Sequence, residues 1–265
     1  PRRISPTHHV ATLADDTISP RRGHPTQGRR MPGYQTKQER IAIQGAHSLI
    51  IRSLLDRQQF SDPFGEAEAM GISSAAWPLF GLLWPSSMQL AAWMATRPLV
   101  PHERVLEVGC GLALASLVSH RRGVDVTASD CHPLASSFLI ENTGLNDLQP
   151  LTYRHGNWAD TGDTPVHAHH PIVQGRFNLI MGSDVLYERD EPGYLASFIA
   201  RHALPTAEVL IVDPNRGNRV AFNKRMAAER FTLEEIDLSH SLASGIAYKG
   251  RLLRYLRAAP VTASL

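Results

Sequence analysis

Two glycines and a later aspartate form the first pattern in the chain that could do chemistry. An apolar segment, 105–108, runs into Gly109 and Gly111, and a helical pattern begins directly after them. Glycine lets the backbone bend tightly there and lets a ligand approach without a Cβ atom in the way. Asp130 lies 19 residues beyond Gly111, at the end of the next predicted strand. A carboxylate in that place accepts both hydroxyls of a ribose, so the spacing predicts a site for a nucleoside-containing ligand.

The residues around this turn discriminate between two kinds of nucleoside ligand. A nicotinamide dinucleotide site uses the pattern G-x-G-x-x-G, whose third glycine would fall at Leu114 here. Glu107, two residues before Gly109, also places negative charge where a pyrophosphate needs hydrogen-bond donors. A carboxylate suits a cation without phosphates, such as S-adenosylmethionine, which carries a sulfonium and an ammonium group. The pattern favours this ligand, and a strand–turn–helix that binds nothing is the remaining alternative.

A second polar group follows the predicted strand 177–182. Ser183, Asp184 and Tyr187 come directly after its apolar residues. In an open α/β sheet the carboxyl ends of the strands hold the ligands, so this group and the glycine turn should lie at one edge. Asp184 could orient an incoming amine by a charge-assisted hydrogen bond, and Tyr187 could form an aromatic wall around its alkyl stem.

Other polar clusters predict less. His167, His169 and His170 lie in a segment bounded by proline and glycine, with no cysteine or acidic partner at the spacing of a zinc site. They are expected to form a solvated loop, and no metal site is predicted. No Ser-His-Asp order or nucleophile elbow occurs.

The polar residues after the predicted strand 209–212 have a structural interpretation and a functional one. Asp213 followed by Pro214 resembles a helix N-cap with proline at the first helical position. Arg216 and Arg219 follow at the same edge and could steer an acidic substrate.

The elements that must position these residues begin after Pro101, where short apolar segments alternate with helical patterns. This alternation is typical of a parallel α/β sheet with right-handed crossovers. We expect a Rossmann-like, seven-stranded, mostly parallel sheet with a C-terminal antiparallel hairpin. The predicted strands are 104–108, 124–129, 151–154, 177–182, 209–212, 232–238 and 246–257, and the predicted helices are 113–120, 133–142, 193–202 and 219–230.

The N-terminal part of the chain divides into two predicted regions. Residues 1–30 are rich in Pro, His, Thr and Arg without apolar periodicity, and are expected to be a disordered or leader segment. Residues 31–100 are expected to form a helical extension or lid, with one or two amphipathic helices over 36–59 and another over 86–96. The main domain is then 101–265.

Composition excludes several classes of protein. The chain of 265 residues has a net charge of +2, but residues 1–30 alone contain six arginines and two aspartates. The remaining chain is close to neutral, so a nucleic-acid-binding surface is not expected. Two cysteines and the lack of a long apolar span favour a cytoplasmic protein with neither a disulfide framework nor a membrane segment. A mitochondrial location is the alternative if residues 1–30 are a transit peptide.

These motifs together resemble the class I, seven-β-strand methyltransferases, over about residues 76–257. More narrowly they resemble methyltransferase family 16, which contains many protein-lysine methyltransferases. The resemblance rests on the motifs E-V-G-C-G at Glu107, N-W at Asn157-Trp158, G-L-L-W-P at 81–85 and D-V-L-Y at Asp184. D-P-N-R after the predicted strand 209–212 resembles the subgroup related to the methyltransferase of electron-transfer flavoprotein β-subunit. One departure is Ala113, which stands where the family has a third glycine.

The resemblance implies a role for each motif residue. The cofactor would be S-adenosylmethionine, with S-adenosylhomocysteine as product. The chain lacks the N-P-P-Y-like motif of enzymes that methylate the exocyclic amines of bases or glutamine, so DNA adenine and glutamine are not expected as acceptors. Asp184 and Tyr187 would be catalytic, and the residues implied at the cofactor are Trp84, Glu107, Gly109, Gly111, Asp130, Asn157, Trp158 and Ser183.

The expected activity is methylation of a lysine side chain on a partner protein. A small-molecule N- or O-methyltransferase on the same scaffold is the first alternative. A non-catalytic module that binds S-adenosylmethionine is the second. The acceptor rests on the resemblance, since a fold does not determine a substrate.

Overall fold

A computed structural model describes residues 34–159, 170–239 and 247–258. These residues belong to one compact unit, Met31–Leu265. The predictions for residues 1–30 and for His167 and His169 fall outside the described residues.

Strands and helices alternate through most of the described chain. The strands are β1 (Thr36–Ile41), β2 (Leu49–Leu54), β3 (Arg104–Val108), β4 (Asp125–Asp130), β5 (Thr152–His155), β6 (Phe177–Ser183), β7 (Ala203–Asp213), β8 (Thr232–Asp237) and β9 (Arg251–Arg257). The helices are α1 (Glu66–Ala69), α2 (Pro85–Thr96), α3 (Leu114–Arg121), α4 (Ala135–Leu145), α5 (Tyr194–His202) and α6 (Arg219–Ala228), with short 3₁₀ turns at Ser74–Ala76 and Leu79–Gly81.

The central sheet has the predicted topology. Its seven strands lie in the order β5-β4-β3-β6-β7-β9-β8. The first five are parallel, and β9 pairs antiparallel with both β7 and β8. The order in which strands are added reverses between β3 and β6: β4 and β5 lie on one side of β3, and β6 and β7 lie on the other. Open α/β sheets hold their ligands at such a point. The mostly parallel sheet with a C-terminal hairpin is confirmed.

Alternation along the central strands fills both faces of the sheet. Leu106 of β3 and Ile180 of β6 pack on one face with α5 and α6. Val105 and Leu179, their sequence neighbours, pack on the other face with α2. Because successive side chains of a strand point to opposite faces, continuous apolar segments are required for a sheet covered on both sides.

The prediction of amphipathic helices over 36–59 is wrong. These residues form an antiparallel hairpin, in which Thr36 of β1 pairs with Leu54 of β2. The buried residues of β2 recur with a period of two at Leu49, Ile51 and Ser53. Gly45, at a φ of +80°, lies in the connection between the two strands, where a continuous helix would need negative φ.

Side chains of α4 replace a strand at the free edge of this hairpin. The Asn142 amide accepts from the Arg52 backbone N–H at 2.7 Å and donates to the Arg52 carbonyl at 3.2 Å. Asn146 makes the same pair of bonds with Ile50, at 2.9 and 2.8 Å. Arg52 also pairs with Glu141. Backbone groups that a sheet edge leaves unpaired are satisfied in this way, so the hairpin is bound to the main domain.

The one helix of the N-terminal region that was predicted correctly is α2. It begins at Pro85, whose missing N–H suits the first helical position. Leu90, Ala91 and Met94 are buried on its inner face. Within the described residues, no helix has the length and apolarity needed to cross a membrane.

Candidate functional site

A cavity of about 1150 Å³ opens at the carboxyl edge of the sheet. Its walls are the segment between β2 and α2, the turn after β3, the end of β4, and the loops after β5, β6 and β7. The volume slightly exceeds the usual upper range for a single small-ligand site, so the cavity has room for more than one small ligand.

The glycine turn after β3 forms the floor of this cavity. Gly109 and Gly111 have φ angles of +57° and +51°. A Cβ atom on Gly111 would lie 2.8 Å from the backbone oxygen of Phe80, and one on Gly109 would lie 2.9 Å from Val185. Both the backbone conformation and the close neighbours therefore require glycine.

Ala113, at the position of the third glycine in the predicted motif, has a left-handed backbone. Its φ is +58°, and it immediately precedes α3. The left-handed conformation costs an L-residue roughly 1–2 kcal/mol. The left-handed backbone at Ala113 therefore lowers the free energy of unfolding.

Asp130 lies at the end of β4 and lines the cavity. Its carboxylate accepts from the backbone N–H groups of Gly111 and His132, both at 2.9 Å. Burial raises the pKa of Asp130, and these two bonds lower it. Each carboxylate oxygen has two lone pairs, so the same group can still accept from a ribose.

Glu107 does not line the cavity. Its side chain is 1% exposed, behind the glycine turn, and its Oε2 accepts from the backbone N–H of Ser116 at 2.9 Å and from the Ser116 hydroxyl. The structure therefore assigns Glu107 to fastening the turn onto α3. Burial raises the pKa of Glu107 to about 7, although the bonds from Ser116 lower it.

We expect Glu107 to make the stability of the protein depend on pH. Folded Glu107 holds its proton up to about pH 7, whereas the ordinary side chain loses it near pH 4.5. Unfolding therefore releases a proton in this interval, and the free energy of unfolding falls as pH rises, by about 3 kcal/mol in total. Glu107→Gln should remove this loss and be more stable than the parent above pH 7.

Denaturant unfolding at several pH values measures this effect. Glu229→Gln, at an exposed glutamate after α6, is the matched control. A difference between Glu107→Gln and the parent that stays constant from pH 4.5 to 8 would contradict the prediction.

The two predicted tryptophans lie on the cavity wall. Trp158 packs its ring edge beside Gly109, where a Cβ atom would be 3.3 Å from the indole. Trp84 is fixed by its indole N–H, which donates to the Leu79 carbonyl at 3.0 Å. The Arg57 guanidinium lies 5.7 Å from the Trp84 ring centroid, so a protein cation already stacks on that ring.

Asn157 and Ser183 also line the cavity. Asn157 Oδ1 accepts from the Ala159 N–H at 3.1 Å, which shapes the loop after β5. Ser183 ends β6, in register with Val212 of β7. Both residues are brought to the predicted edge.

Asp184 and Tyr187 lie on the far side of the glycine turn, in the loop after β6. Asp184 has a φ of +58°, and its Oδ1 accepts from Arg216 Nε at 2.6 Å. Tyr187 is 42% exposed at the mouth of the cavity. Burial raises the pKa of Tyr187, so its hydroxyl is neutral.

Sequence reasoning missed two aromatic rings of the site. Phe80 and His132 stack with ring centroids 3.7 Å apart and an interplanar angle of 11°. Burial lowers the pKa of His132 to about 3, so the ring is neutral. No sequence signal marks Phe80, because its contact with the glycine turn is through the backbone. His132 could have been found from its position two residues beyond Asp130.

The described histidine of the 167–170 cluster has a structural partner. His170 Nε2 lies 2.7 Å from the Ser136 hydroxyl. Among the described residues, no group of three or more His, Cys, Asp or Glu side chains could hold a metal ion.

Two solved structures with a similar fold are methyltransferases. A methyltransferase of Pyrococcus furiosus is 17% identical, with a TM-score of 0.51, and the match covers 74% of this chain and 100% of that chain. The magnesium protoporphyrin IX methyltransferase of Synechocystis PCC 6803, solved with bound SAM, is 16% identical with a TM-score of 0.50, over 65% of this chain and 78% of that chain. The chain has the fold of class I methyltransferases. No protein-family model and no curated protein sequence matches it.

The methyltransferase fold accounts for the grouping of the predicted residues. Gly109, Asp130 and Asp184 follow three different strands, and the parallel sheet brings them to one cavity. The narrower resemblance to methyltransferase family 16 rests on the sequence motifs alone.

Proposed function

We propose that this protein transfers a methyl group from S-adenosylmethionine to a lysine side chain of another protein. One observation carries the proposal. A single cavity joins a glycine cradle, the Asp130 carboxylate and two indole rings to the Asp184–Tyr187 loop. The glycine cradle, Asp130 and the indole rings suit a nucleoside cation. The Asp184–Tyr187 loop suits an amine that approaches from solvent.

The residues present fit S-adenosylmethionine. Gly109 and Gly111 line the cavity and carry no side chain, so a ligand can lie directly against their backbone. Asp130 would accept from the ribose hydroxyls, and Trp158 would pack against adenine. Trp84, held beside Arg57, would close the cavity from the N-terminal side. Asn157 and Ser183 complete the proposed binding set.

Asp130→Asn should weaken S-adenosylmethionine binding about 10- to 150-fold. The change keeps the side-chain size but removes the charge from a hydrogen bond worth about 1.5–3 kcal/mol, and the asparagine NH2 group cannot accept one of the two backbone bonds from Gly111 and His132. Isothermal titration calorimetry measures the affinity. Asp125→Asn, at the exposed opposite end of β4, is the matched control. Equal affinities for the two variants would remove Asp130 from the ribose site.

Held by the glycine turn, Asp130 and Trp158, the cofactor would supply an electrophilic methyl group on a sulfonium for an acceptor amine. The chain's task is to align the acceptor and to exclude water. Asp184 would accept a hydrogen bond from the acceptor amine, and Tyr187 would pack along its alkyl stem. A lysine must arrive neutral, and its ordinary pKa is about 10.4, so the rate should rise with pH.

The position of Tyr187 supports a protein acceptor. The ring is 42% exposed at the rim, where a side chain carried on another protein can reach it. A small-molecule acceptor is the second candidate, which the cavity volume of about 1150 Å³ favours because a whole second ligand could be enclosed.

Transfer of labelled methyl groups into a cell extract tests the proposal. The products are separated into protein and small-molecule fractions, and labelled protein is digested to locate methyllysine. A discrete labelled protein containing methyllysine supports the proposal. Label confined to the small-molecule fraction would overturn it in favour of the second candidate. Cofactor binding without any product in extracts from several sources would favour a non-catalytic module.

A further inference from the structure

Arg216 lies between two carboxylates at the ends of neighbouring strands. Its Nε donates to Asp184 Oδ1 at 2.6 Å, and its backbone N–H donates to Asp213 Oδ2 at 2.8 Å. Asp184 follows β6 and Asp213 ends β7, and the Asp184 N–H donates to the Val212 carbonyl at 2.9 Å. The two acidic residues are therefore adjacent across the sheet, with one cation between them.

The Asp184 carboxylate is held on one side only. Arg216 engages Oδ1, and no other hydrogen bond reaches this side chain from the described part of the chain. The side chain is 8% exposed, and Asp184 lines the cavity. One oxygen is thereby fixed by the protein, and the other is left for a donor in the cavity.

We propose that Arg216 is a positioning residue for methyl transfer: it holds the Asp184 carboxylate oriented toward the acceptor. The inference rests on the proposed function, since Asp184 matters to catalysis only if an acceptor binds beside it. Sequence reasoning gave Arg216 a different role, as a cation that steers an acidic substrate. The ion pair with Asp184 replaces that interpretation, because Asp184 already neutralises the charge of Arg216.

The surroundings of Asp184 make the cation necessary. Asp213 is fully buried, and its Oδ1 has no partner among the described residues. Burial raises the pKa of Asp213, and the nearby Asp184 raises it further. Arg216 and Arg219 both lower the pKa of Asp213, so loss of the Arg216 charge would raise that pKa. The titratable and charged groups that act on Asp184 are Arg216, Asp213 and Tyr248; Arg219 acts on Asp213, and Tyr187 lies in the same loop as Asp184.

Arg216→Gln should lower kcat by roughly 10- to 100-fold through misplacement of Asp184, with little change in the KM for S-adenosylmethionine. The ratio of variant to parent kcat/KM for the acceptor should also fall as pH decreases, because loss of the Arg216 charge raises the pKa of Asp213 beside Asp184. The titration of the free acceptor amine is the same for both proteins and cancels in this ratio. Arg216→Lys, which keeps the charge, should restore a flat ratio.

Arg219→Gln is the matched control. Arg219 lies at the same edge, is similarly covered, and bonds to Asn215 at 2.9 Å rather than to Asp184. At a fixed pH its kcat should stay close to that of the parent, because Arg219 does not bond to Asp184, although it too lowers the pKa of Asp213. Arg216→Gln in an Asp184→Asn background should add little further loss, since it acts through a charge that is already removed.

Four outcomes would overturn the inference. They are a pH-independent ratio for Arg216→Gln, full additivity with Asp184→Asn, an equal loss of kcat in Arg219→Gln, or an unchanged NMR titration. Carboxyl ¹³C NMR of aspartate-labelled protein gives the readout that needs no acceptor. In Arg216→Gln the carboxyl of Asp213 should titrate at a higher pH than in the parent, and Asp184→Asn should reverse part of this rise. Failure of the parent to methylate anything would contradict the proposed function, whereas an unchanged NMR titration would contradict the role of Arg216.

Discussion

Asp184→Asn is expected to lower methyl transfer by about 100-fold while leaving the affinity for S-adenosylmethionine unchanged. The carboxylate lies across the cavity from Asp130, so it does not belong to the proposed ribose site. Asparagine keeps the shape and still accepts from Arg216, but it loses the negative charge. A charge-assisted hydrogen bond contributes about 1.5–3 kcal/mol, which corresponds to roughly 10- to 150-fold in rate when it is made to the reacting amine.

Asp147→Asn is the matched control for this variant. Asp147 also has a left-handed backbone, with a φ of +53°, and lies in the exposed turn after α4. Asparagine tolerates this conformation as well as aspartate does. Single-turnover transfer and calorimetric binding are measured for both variants. Loss of cofactor binding in Asp184→Asn would move Asp184 into the cofactor site, and unchanged transfer would remove it from the mechanism.

Gly111→Val is expected to abolish cofactor binding and to destabilise the fold by roughly 2–5 kcal/mol. The left-handed conformation costs a non-glycine residue about 1–2 kcal/mol, and overpacking adds about 1–3 kcal/mol. The overpacking cannot relax easily, because the atom 2.8 Å from the new Cβ is the backbone oxygen of Phe80. Displacement of Phe80 would also disturb its stack with His132, beside Asp130.

Gly123→Val separates these two contributions. Gly123 has a φ of +83°, but a Cβ atom there meets nothing within 4 Å. It should lose only the conformational part of the stability and keep the affinity of the parent. Denaturant unfolding and cofactor titration of the two variants provide the comparison. Equal destabilisation, with binding intact in Gly111→Val, would contradict the close packing of Phe80 on the turn.

The central sheet could be predicted because burial on both faces leaves an unambiguous pattern. The predicted strand 104–108 coincides with β3, and 177–182 differs from β6 by one residue. Such strands are continuous apolar segments bounded by glycine, proline and polar turns. The predicted strand 209–212 lies within β7, but β7 is longer. It begins at Ala203, in a more polar segment that pairs at the opposite end of the sheet.

The N-terminal hairpin could not be predicted with the same ease. Four of the six residues of β1 are exposed, and lysine, glutamine, glutamate and arginine are good helix formers. Apolar residues at Ile41, Ile43 and Leu49 fit either period over so short a stretch. Tertiary contacts decide the outcome, chiefly the amide bonds of Asn142 and Asn146 to β2.

The candidate site shows the same division. Gly109, Gly111 and Asp130 were found from spacing alone, because parallel strands bring their carboxyl ends to one edge. The burial of Glu107 behind the turn depends on Ser116 in the next helix, which no local pattern reveals. The ion pair of Arg216 with Asp184 joins residues 32 apart in sequence and likewise required the structure.

Titration of the protein with S-adenosylmethionine and, separately, with NAD⁺ tests the central claim most directly. Both ligands contain an adenosine that Asp130 could hold, but only the first is a cation without phosphates. The account predicts saturable one-to-one binding of S-adenosylmethionine that is lost in Gly111→Val and retained in Gly123→Val, with no binding of NAD⁺. Binding of NAD⁺ in preference, or no binding of S-adenosylmethionine by the folded protein, would contradict it.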